Sequence, residues 1–353
     1  MFGLERIWQR PLRWDTIQVE VTSACNAKCS YCPHTVYSAQ WQSRHMERAV
    51  FDRLAPAFAR SGLVFLQGWG EPLLHPQFFD LLAAARARAR WVGTTSNGML
   101  IDAGMAESLV RAGLDWLGLS LAGGEKTNDR FRQGTSLGQV LRAVEQVEAA
   151  KRRLGRDRPY VNIAYLLLRS GREELDGLPA LLRGRDINQV VVSTLDYLPA
   201  PDWQAETWDW QKEEDRKDLT ACLAGLAARG RQAGLDIQYR VFDPRGRECP
   251  EQIQTSLFVS AAGAVSSCVF TNIPIAVAPG QLPCRPKTFG NVMETTLDAI
   301  WRSADYSQFR RSFADGNPPD YCRNCRRLGL TTMQEKPSAA ARAEGLSDFS
   351  ELW

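Results

Sequence analysis

The chain has 353 residues, 44% hydrophobic and 24% charged, with a formal net charge of +3. That length can bury a large core divided between one big domain and one small one, and the composition is ordinary for a globular protein. The small charge argues against nucleic acid as a partner. With no apolar run long enough to span a bilayer and no signal-peptide core in Met1 to Arg6, the expected compartment is the cytoplasm.

Ile7, Trp8, Pro11 and Trp14 in the leading segment read as packing against the bottom of the first domain, with an amphipathic element on a membrane surface as the alternative. The alternating run from Thr16 to Val21 predicts a first strand. Directly behind it comes Cys25-Asn26-Ala27-Lys28-Cys29-Ser30-Tyr31-Cys32-Pro33, three thiols spaced CxxxCxxC on a polar, turn-rich stretch. Three thiolates can hold three irons of a four-iron, four-sulfur cluster and leave the fourth iron open to a small molecule. Zinc is the alternative, but it wants a fourth ligand close by, and neither His34 nor His45 gives a common zinc spacing. A third possibility, one face of an amphipathic helix, fails on Asn26, Lys28, Ser30 and Pro33.

Short β-rich runs predict strands at 63–67, 91–95, 116–120, 160–167 and 189–194, and helical periodicity fills 48–60, 76–90, 103–112, 137–154 and 173–183. Six strands alternating with helices imply a parallel sheet with helices outside, and five crossovers are too few to close an eight-strand barrel. Functional residues in such sheets gather at the C-terminal strand ends. There the chain places Gly68-Trp69-Gly70-Glu71-Pro72, Thr95-Ser96-Asn97-Gly98, Ser120 ahead of Leu121-Ala122-Gly123-Gly124, and Thr194-Leu195-Asp196-Tyr197. Asn162, Arg169 and Ser170, flanking the fifth strand, are further pocket candidates. From 199 to 218, Trp203, Trp208 and Trp210 stand among prolines and acidic residues in an expected linker, as staples against the next helix or a roof over the pocket. Cys222, in a helical run at 219–229, reads as a buried small hydrophobe.

Nine cysteines, an odd number in two clusters, do not form a secreted disulfide framework; clustered thiols in a reducing compartment point to metal. The second cluster runs Cys249, thirteen residues, Gly263, four residues, Cys268, spanning an alternating stretch at 256–265 that reads as a β-hairpin. Phe289-Gly290-Asn291-Val292, the amphipathic Thr296-Leu297-Asp298-Ala299-Ile300-Trp301 and Cys322-Arg323-Asn324-Cys325 follow.

The CxxxCxxC motif with Tyr31 before its last cysteine, close behind a strand, resembles the radical S-adenosylmethionine (SAM) enzymes. The resemblance implies an α/β fold with a partial (β/α)6 barrel and a [4Fe-4S] cluster on Cys25, Cys29 and Cys32. It also implies an open iron that binds the amino and carboxylate groups of SAM, and reductive cleavage of SAM to a 5'-deoxyadenosyl radical. Gly68-Trp69-Gly70-Glu71-Pro72 looks like the family's GGEP segment with Trp69 replacing a glycine, which implies contact with the cofactor's amino group, the Glu71 carboxylate accepting a hydrogen bond from it. Tyr31, Asn97, Ser120 on the ribose and Leu195 against adenine complete the implied cofactor contacts, although Ala122 stands where an acidic residue is common.

The second cysteine region looks like the auxiliary-cluster extension called SPASM. Two further cysteines would follow the CxxC in a full extension and none follows Cys325, which implies the shortened Twitch form with one auxiliary [4Fe-4S] cluster on Cys249, Cys268, Cys322 and Cys325. Zinc on the same thiols is the alternative. Cys284 would be a replacement ligand, a hydrogen donor or a loop residue. The expected division is barrel 1–200, linker with bridging helix and strand 201–245, auxiliary-cluster domain 246–330 and tail 331–353. The expected activity is a two-electron oxidation of a small alcohol, sugar or peptide side chain, served by a low-potential donor such as flavodoxin or ferredoxin. A redox-neutral epimerase or mutase using Cys284 and a non-enzymatic zinc protein are the rival readings. With the barrel beginning about seventeen residues in, no leader-peptide-binding domain is expected ahead of it.

Overall fold

The computed structural model describes residues 13–332 apart from 196, 211, 244–245, 247–248, 274–285 and 324. The six strands expected from sequence form β1 (Trp14–Val19), β2 (Ser61–Phe65), β3 (Trp91–Ser96), β4 (Trp116–Leu121), β5 (Tyr160–Leu167) and β6 (Gln189–Thr194). Five more complete the sheet: β7 (Ile237–Phe242), β8 (Ser256–Val259), β9 (Ala264–Ser266), β10 (Gly290–Asn291) and β11 (Leu330–Thr332). Their spatial order is β10-β9-β8-β1-β2-β3-β4-β5-β6-β7-β11. Pairing is parallel from β8 through to β7 and antiparallel at both margins. The fold is α/β, a mostly parallel partial barrel with the second cysteine region growing from one edge.

Side-chain alternation explains the layers. Ile17, Val19, Val64, Val92, Leu117, Leu119, Val161 and Ile163 enter the main core that the helices share. Leu63, Phe65, Trp116 and Tyr160, of opposite parity, form a separate cluster with Trp91 on the other face. Trp91, Trp116 and Tyr160 open their strands, and Leu63 and Phe65 stand level with Trp91 and Gly93, so the cluster floors the barrel and leaves its far end for the site.

The helix Leu137–Leu154 matches its expected bounds because both ends are specified: Ser136 accepts a hydrogen bond from the Gln139 N–H, and Gly155 turns left-handed at φ 60°. The helix predicted at 173–183 is instead a 3-10 stretch, Arg169–Gly177, and a short helix, Leu178–Leu182; Gly171, Gly177 and Pro179 are poor α-helix formers. Glu125–Phe131 is an additional helix that its polar sequence concealed. The expected hairpin at 256–265 is present as β8 and β9, and β8 also pairs in parallel with β1, Thr16 opposite Ser256 through Val19 opposite Val259.

Candidate metal and cofactor centre

The loop after β1 is shaped by its own polar side chains. The Thr22 hydroxyl accepts from the Ala24 N–H at 3.1 Å, and the Trp41 indole donates to the Ser23 carbonyl at 2.9 Å. The Ala27 N–H points at Cys25 Sγ, 3.4 Å away. Lys28–Cys29 pairs antiparallel with Arg132–Gln133, which fixes Cys29 against the chain that follows β4. Cys32 then caps the short helix Pro33–Val36, where proline at the first position fits the helix start. Burial pushes the Cys25 thiol up to about 11 and Cys32 to about 12, and the nearby Cys29 sulfur adds to both. Such thiols keep their protons until a metal takes the proton's place. His34 packs on Trp41 and His45 on His75.

Gly68 to Pro72 is pressed against this loop. The Glu71 N–H donates to the Ala24 carbonyl at 2.8 Å. A Cβ on Gly70 would lie 2.3 Å from the Thr22 carbonyl oxygen, and one on Gly68 would lie 2.3 Å from Glu20 Cγ. Gly70 therefore serves close approach between two backbone segments, and Gly68 makes room for the Glu20 side chain. The Glu71 carboxylate, 2% exposed, accepts from the Leu73 N–H at 3.2 Å and the Asn97 N–H at 2.6 Å. Burial pushes its carboxyl above the ordinary range against those hydrogen bonds. The Asn97 side chain donates to Asn26 Oδ1 at 2.7 Å, so the third strand's end, the glycine segment and the cysteine loop meet. Pro72 opens the 3-10 turn Pro72–Leu74, and the Trp69 ring turns away toward Phe270 and Tyr197. Leu195 and Tyr31 share one apolar cluster with Phe131, Leu168, Leu166 and Trp203. Ser120 lies half-buried at the end of β4, and the Ala122 N–H beyond it donates to Asn128 Oδ1 at 3.1 Å.

The second thiol set assembles from three separate segments. Cys249 and Cys268 are raised first by burial and then by neighbouring charge, Cys268 to about 12, and Cys322 is raised in the same way. Cys268 and Cys325 both act on Cys249 and on Cys322, so the three segments bring their thiols into one neighbourhood. Cys268 caps the 3-10 turn Val269–Asn272, and the Cys325 N–H donates to the Cys322 carbonyl at 3.0 Å. Among the described residues no three His, Cys, Asp or Glu side chains converge as they would on a single ion. Thiolate donors suit zinc and iron-sulfur clusters alike.

Residues 19–170 match the model of the radical SAM superfamily, and residues 249–326 match SPASM, described as an iron-sulfur cluster-binding domain. The chain is a radical SAM protein with a C-terminal SPASM region. It is 24% identical over 307 residues, 83% of this chain and 82% of the relative, to the tungsten-containing aldehyde ferredoxin oxidoreductase cofactor-modifying protein of Pyrococcus furiosus. It is 23% identical over 327 residues to the PqqA peptide cyclase of Gluconobacter oxydans, covering 88% of this chain and 82% of that one. In fold it resembles native anSMEcpe with bound AdoMet, at TM-score 0.64 and 18% identity over 89% of this chain and 88% of that one.

Arg132 of this radical SAM protein is absent from the sequence-derived set, yet it sits buried beside the cysteine loop. Its guanidinium donates to the Tyr31 hydroxyl at 3.0 Å, and its Nε has no partner. Burial works against its charge, but Tyr31 and the Cys29 and Cys25 sulfurs outweigh that and hold it above its ordinary range. The signal was weak: one arginine among many, and only the Cys29 pairing gives it meaning. Trp203 roofs the loop edge-on to Tyr31 and Phe131 at 6.0 and 5.5 Å, whereas Trp210 stacks on Phe242 and Trp208 is buried. Arg169 and Ser170 are exposed and tied to Asp215 and Glu206, and Asn162 lies deep in the barrel accepting from Trp116. Cys222 is half-buried against the main core; Cys284 lies outside the described residues. A cavity of about 220 Å³ opens between the inner faces of β1 and β2 and the second thiol set, lined by Thr16, Gln18, Phe65, Gln67, Cys268 and Phe270 among others. Among the described residues no helix is long and apolar enough to cross a membrane.

Proposed function

We propose that this protein is an oxidoreductase that removes a hydrogen atom from an unactivated carbon and completes a two-electron oxidation, on a peptide side chain or a small alcohol or sugar. The observation that carries the reading is the pair of thiol sets, three on one loop and four gathered from three segments, with a cavity beside the second. Cys25, Cys29 and Cys32 would hold the first cluster. The backbone of Gly68 to Pro72 and the side chains of Glu71, Asn97, Ser120, Leu195 and Tyr31 would line the SAM site, with the Trp69 ring turned away toward Tyr197 and Phe270. When bound, cluster and SAM supply a 5'-deoxyadenosyl radical after one-electron reduction by a low-potential donor.

The donor set fits that group. Soft thiolates suit iron-sulfur clusters, and the buried Arg132 offsets negative charge at the loop. Cys249, Cys268, Cys322 and Cys325 would occupy one auxiliary cluster completely, leaving no position for substrate and supporting an electron-accepting role. The barrel's part is to hold the reacting carbon and keep water out. The name of the Gluconobacter oxydans relative, a peptide cyclase, supports the peptide arm. The test is an anaerobic assay with candidate substrates, in which 5'-deoxyadenosine accumulates together with a product two hydrogens lighter. Return of the abstracted hydrogen to an epimerised product would end the oxidative reading.

A further inference from the structure

Trp69 is the residue that departs from the glycine-rich pattern of its segment, and it is also the one that reaches the second thiol set. Its backbone N–H donates to Glu20 Oε1 at 3.0 Å, and the other oxygen of that buried carboxylate accepts from the Ala261 N–H at 3.1 Å, in the turn between β8 and β9. Its indole N–H donates to the Val269 carbonyl at 3.3 Å, one residue beyond Cys268. Its ring packs edge-on to Phe270 at 5.6 Å and lies against Tyr197 at 6.3 Å, and Tyr197 and Phe270 close the trio at 6.0 Å. On the other flank, Gly70 and the Glu71 N–H are seated on Thr22 and Ala24, immediately before Cys25. The segment is thus clamped to the first cysteine loop on one side and to the Cys268 arm on the other. A glycine at position 69 would keep the backbone bond to Glu20 and lose every side-chain contact with the arm.

We propose that Trp69 is a positioning residue that locks the SAM-binding segment to the arm carrying Cys268, so that occupation of the SAM site is felt at the β8–β9 hairpin. The proposal rests on the assignment of SAM to the Gly68 to Pro72 segment. Packed side chains and hydrogen bonds of this kind can carry coupling between sites, and typical couplings change affinity by about fivefold or more.

The test is amide hydrogen exchange on the anaerobically reconstituted full chain, with and without SAM, for wild type, Trp69→Phe, Trp69→Ala and Phe270→Ala. In wild type, SAM slows exchange at residues 25–32 and, about fivefold or more, at 256–268. Trp69→Phe, which keeps the ring, retains most of the hairpin effect. Trp69→Ala and Phe270→Ala keep SAM protection at 25–32 and lose it at 256–268. A merely structural role would speed hairpin exchange equally in both states and leave the SAM-dependent difference unchanged, which overturns the proposal. So does a wild-type hairpin that ignores SAM, or loss of protection at 25–32 in Trp69→Ala, which would place the Trp69 side chain in the SAM site itself. Absence of SAM protection everywhere in wild type would bring down the functional assignment as well.

Discussion

Gly70→Ala is the sharpest single perturbation of the first thiol loop. The added methyl would lie 2.3 Å from the Thr22 carbonyl oxygen, 2.6 Å from that of Ala24 and 2.9 Å from the Ser23 carbonyl carbon. All three are backbone atoms just ahead of Cys25, so no side-chain rotation relieves the overlap. Overpacking of a dense interior costs about 1–3 kcal/mol, and a clash with backbone on three sides belongs at the upper end, about 3 kcal/mol. The alternative to paying that cost is separation of the two segments, which breaks the Glu71 N–H bond to Ala24 and displaces the cysteine loop. Gly177→Ala is the control, because a Cβ there meets nothing within 4 Å. The assay is urea unfolding of the apo chain together with iron content after anaerobic reconstitution in a Cys268→Ala background. Gly70→Ala lowers both the unfolding midpoint and the remaining iron, and Gly177→Ala changes neither by more than about 1 kcal/mol or its equivalent. Full iron loading and an unshifted midpoint in Gly70→Ala would refute the claim that this glycine exists for backbone contact.

Cys268→Ala alone should lower the iron content while leaving SAM cleavage measurable as 5'-deoxyadenosine, with the oxidised product lost; retention of that product would remove the second set from the reaction. Asp115 is 3% exposed and pairs with Arg86 and with Arg158, at 2.7 Å, while accepting from the Val92 N–H. Asp115→Ala strands two partly buried cations and should cost about 3 kcal/mol in urea unfolding. Burial pushes the Glu148 carboxyl up to about 7 and it shares a hydrogen bond with Asp186, so the folded chain holds a proton there that the unfolded chain releases near 4.5. The shift stands against the ion pair with Lys151 at 2.9 Å; its contribution is complete below about 4.5 and is lost as pH rises through about 7, so this carboxyl should lower wild-type stability across that window. Glu148→Gln should flatten the decline; equal slopes for both proteins would assign it elsewhere.

The barrel strands and the cysteine sets were legible because each leaves a local trace: apolar alternation for the former, fixed spacing for the latter. The bounds of β5 and β6 match the expected ones, as their runs are β-branched and flanked by turn residues. Partner choice left no such trace. Alternation in Ser256–Val259 predicts a strand and a hairpin, but nothing local says that its other edge pairs with β1. The same limit concealed Arg132, whose relation to Cys29 is a cross-strand pairing, and Glu20, which reads as an ordinary polar position directly after β1. Trp69 was visible as a departure from pattern, yet its direction, toward Phe270 rather than the cofactor side, depends on where the hairpin lies.

That hairpin position has a physical cause. An open parallel barrel ends in unpaired backbone groups, and β1 would present such an edge beside the cysteine loop. Strand β8 satisfies it over four residue pairs, and β9 and β10 continue the ladder outward in antiparallel register. The pairing is parallel, so β8 and β1 end on the same side of the sheet, and the chain leaving β8 turns where the chain leaving β1 begins its cysteine loop. The turn at 260–263 therefore comes within reach of Glu20, and the antiparallel return strand runs back along β8 and carries Cys268 to the cavity that Thr16 and Ser256 line. Satisfying an exposed sheet edge and bringing Cys268 to the wall of the barrel cavity are consequences of one pairing. A change that weakens the β1–β8 register should disturb both thiol sets together.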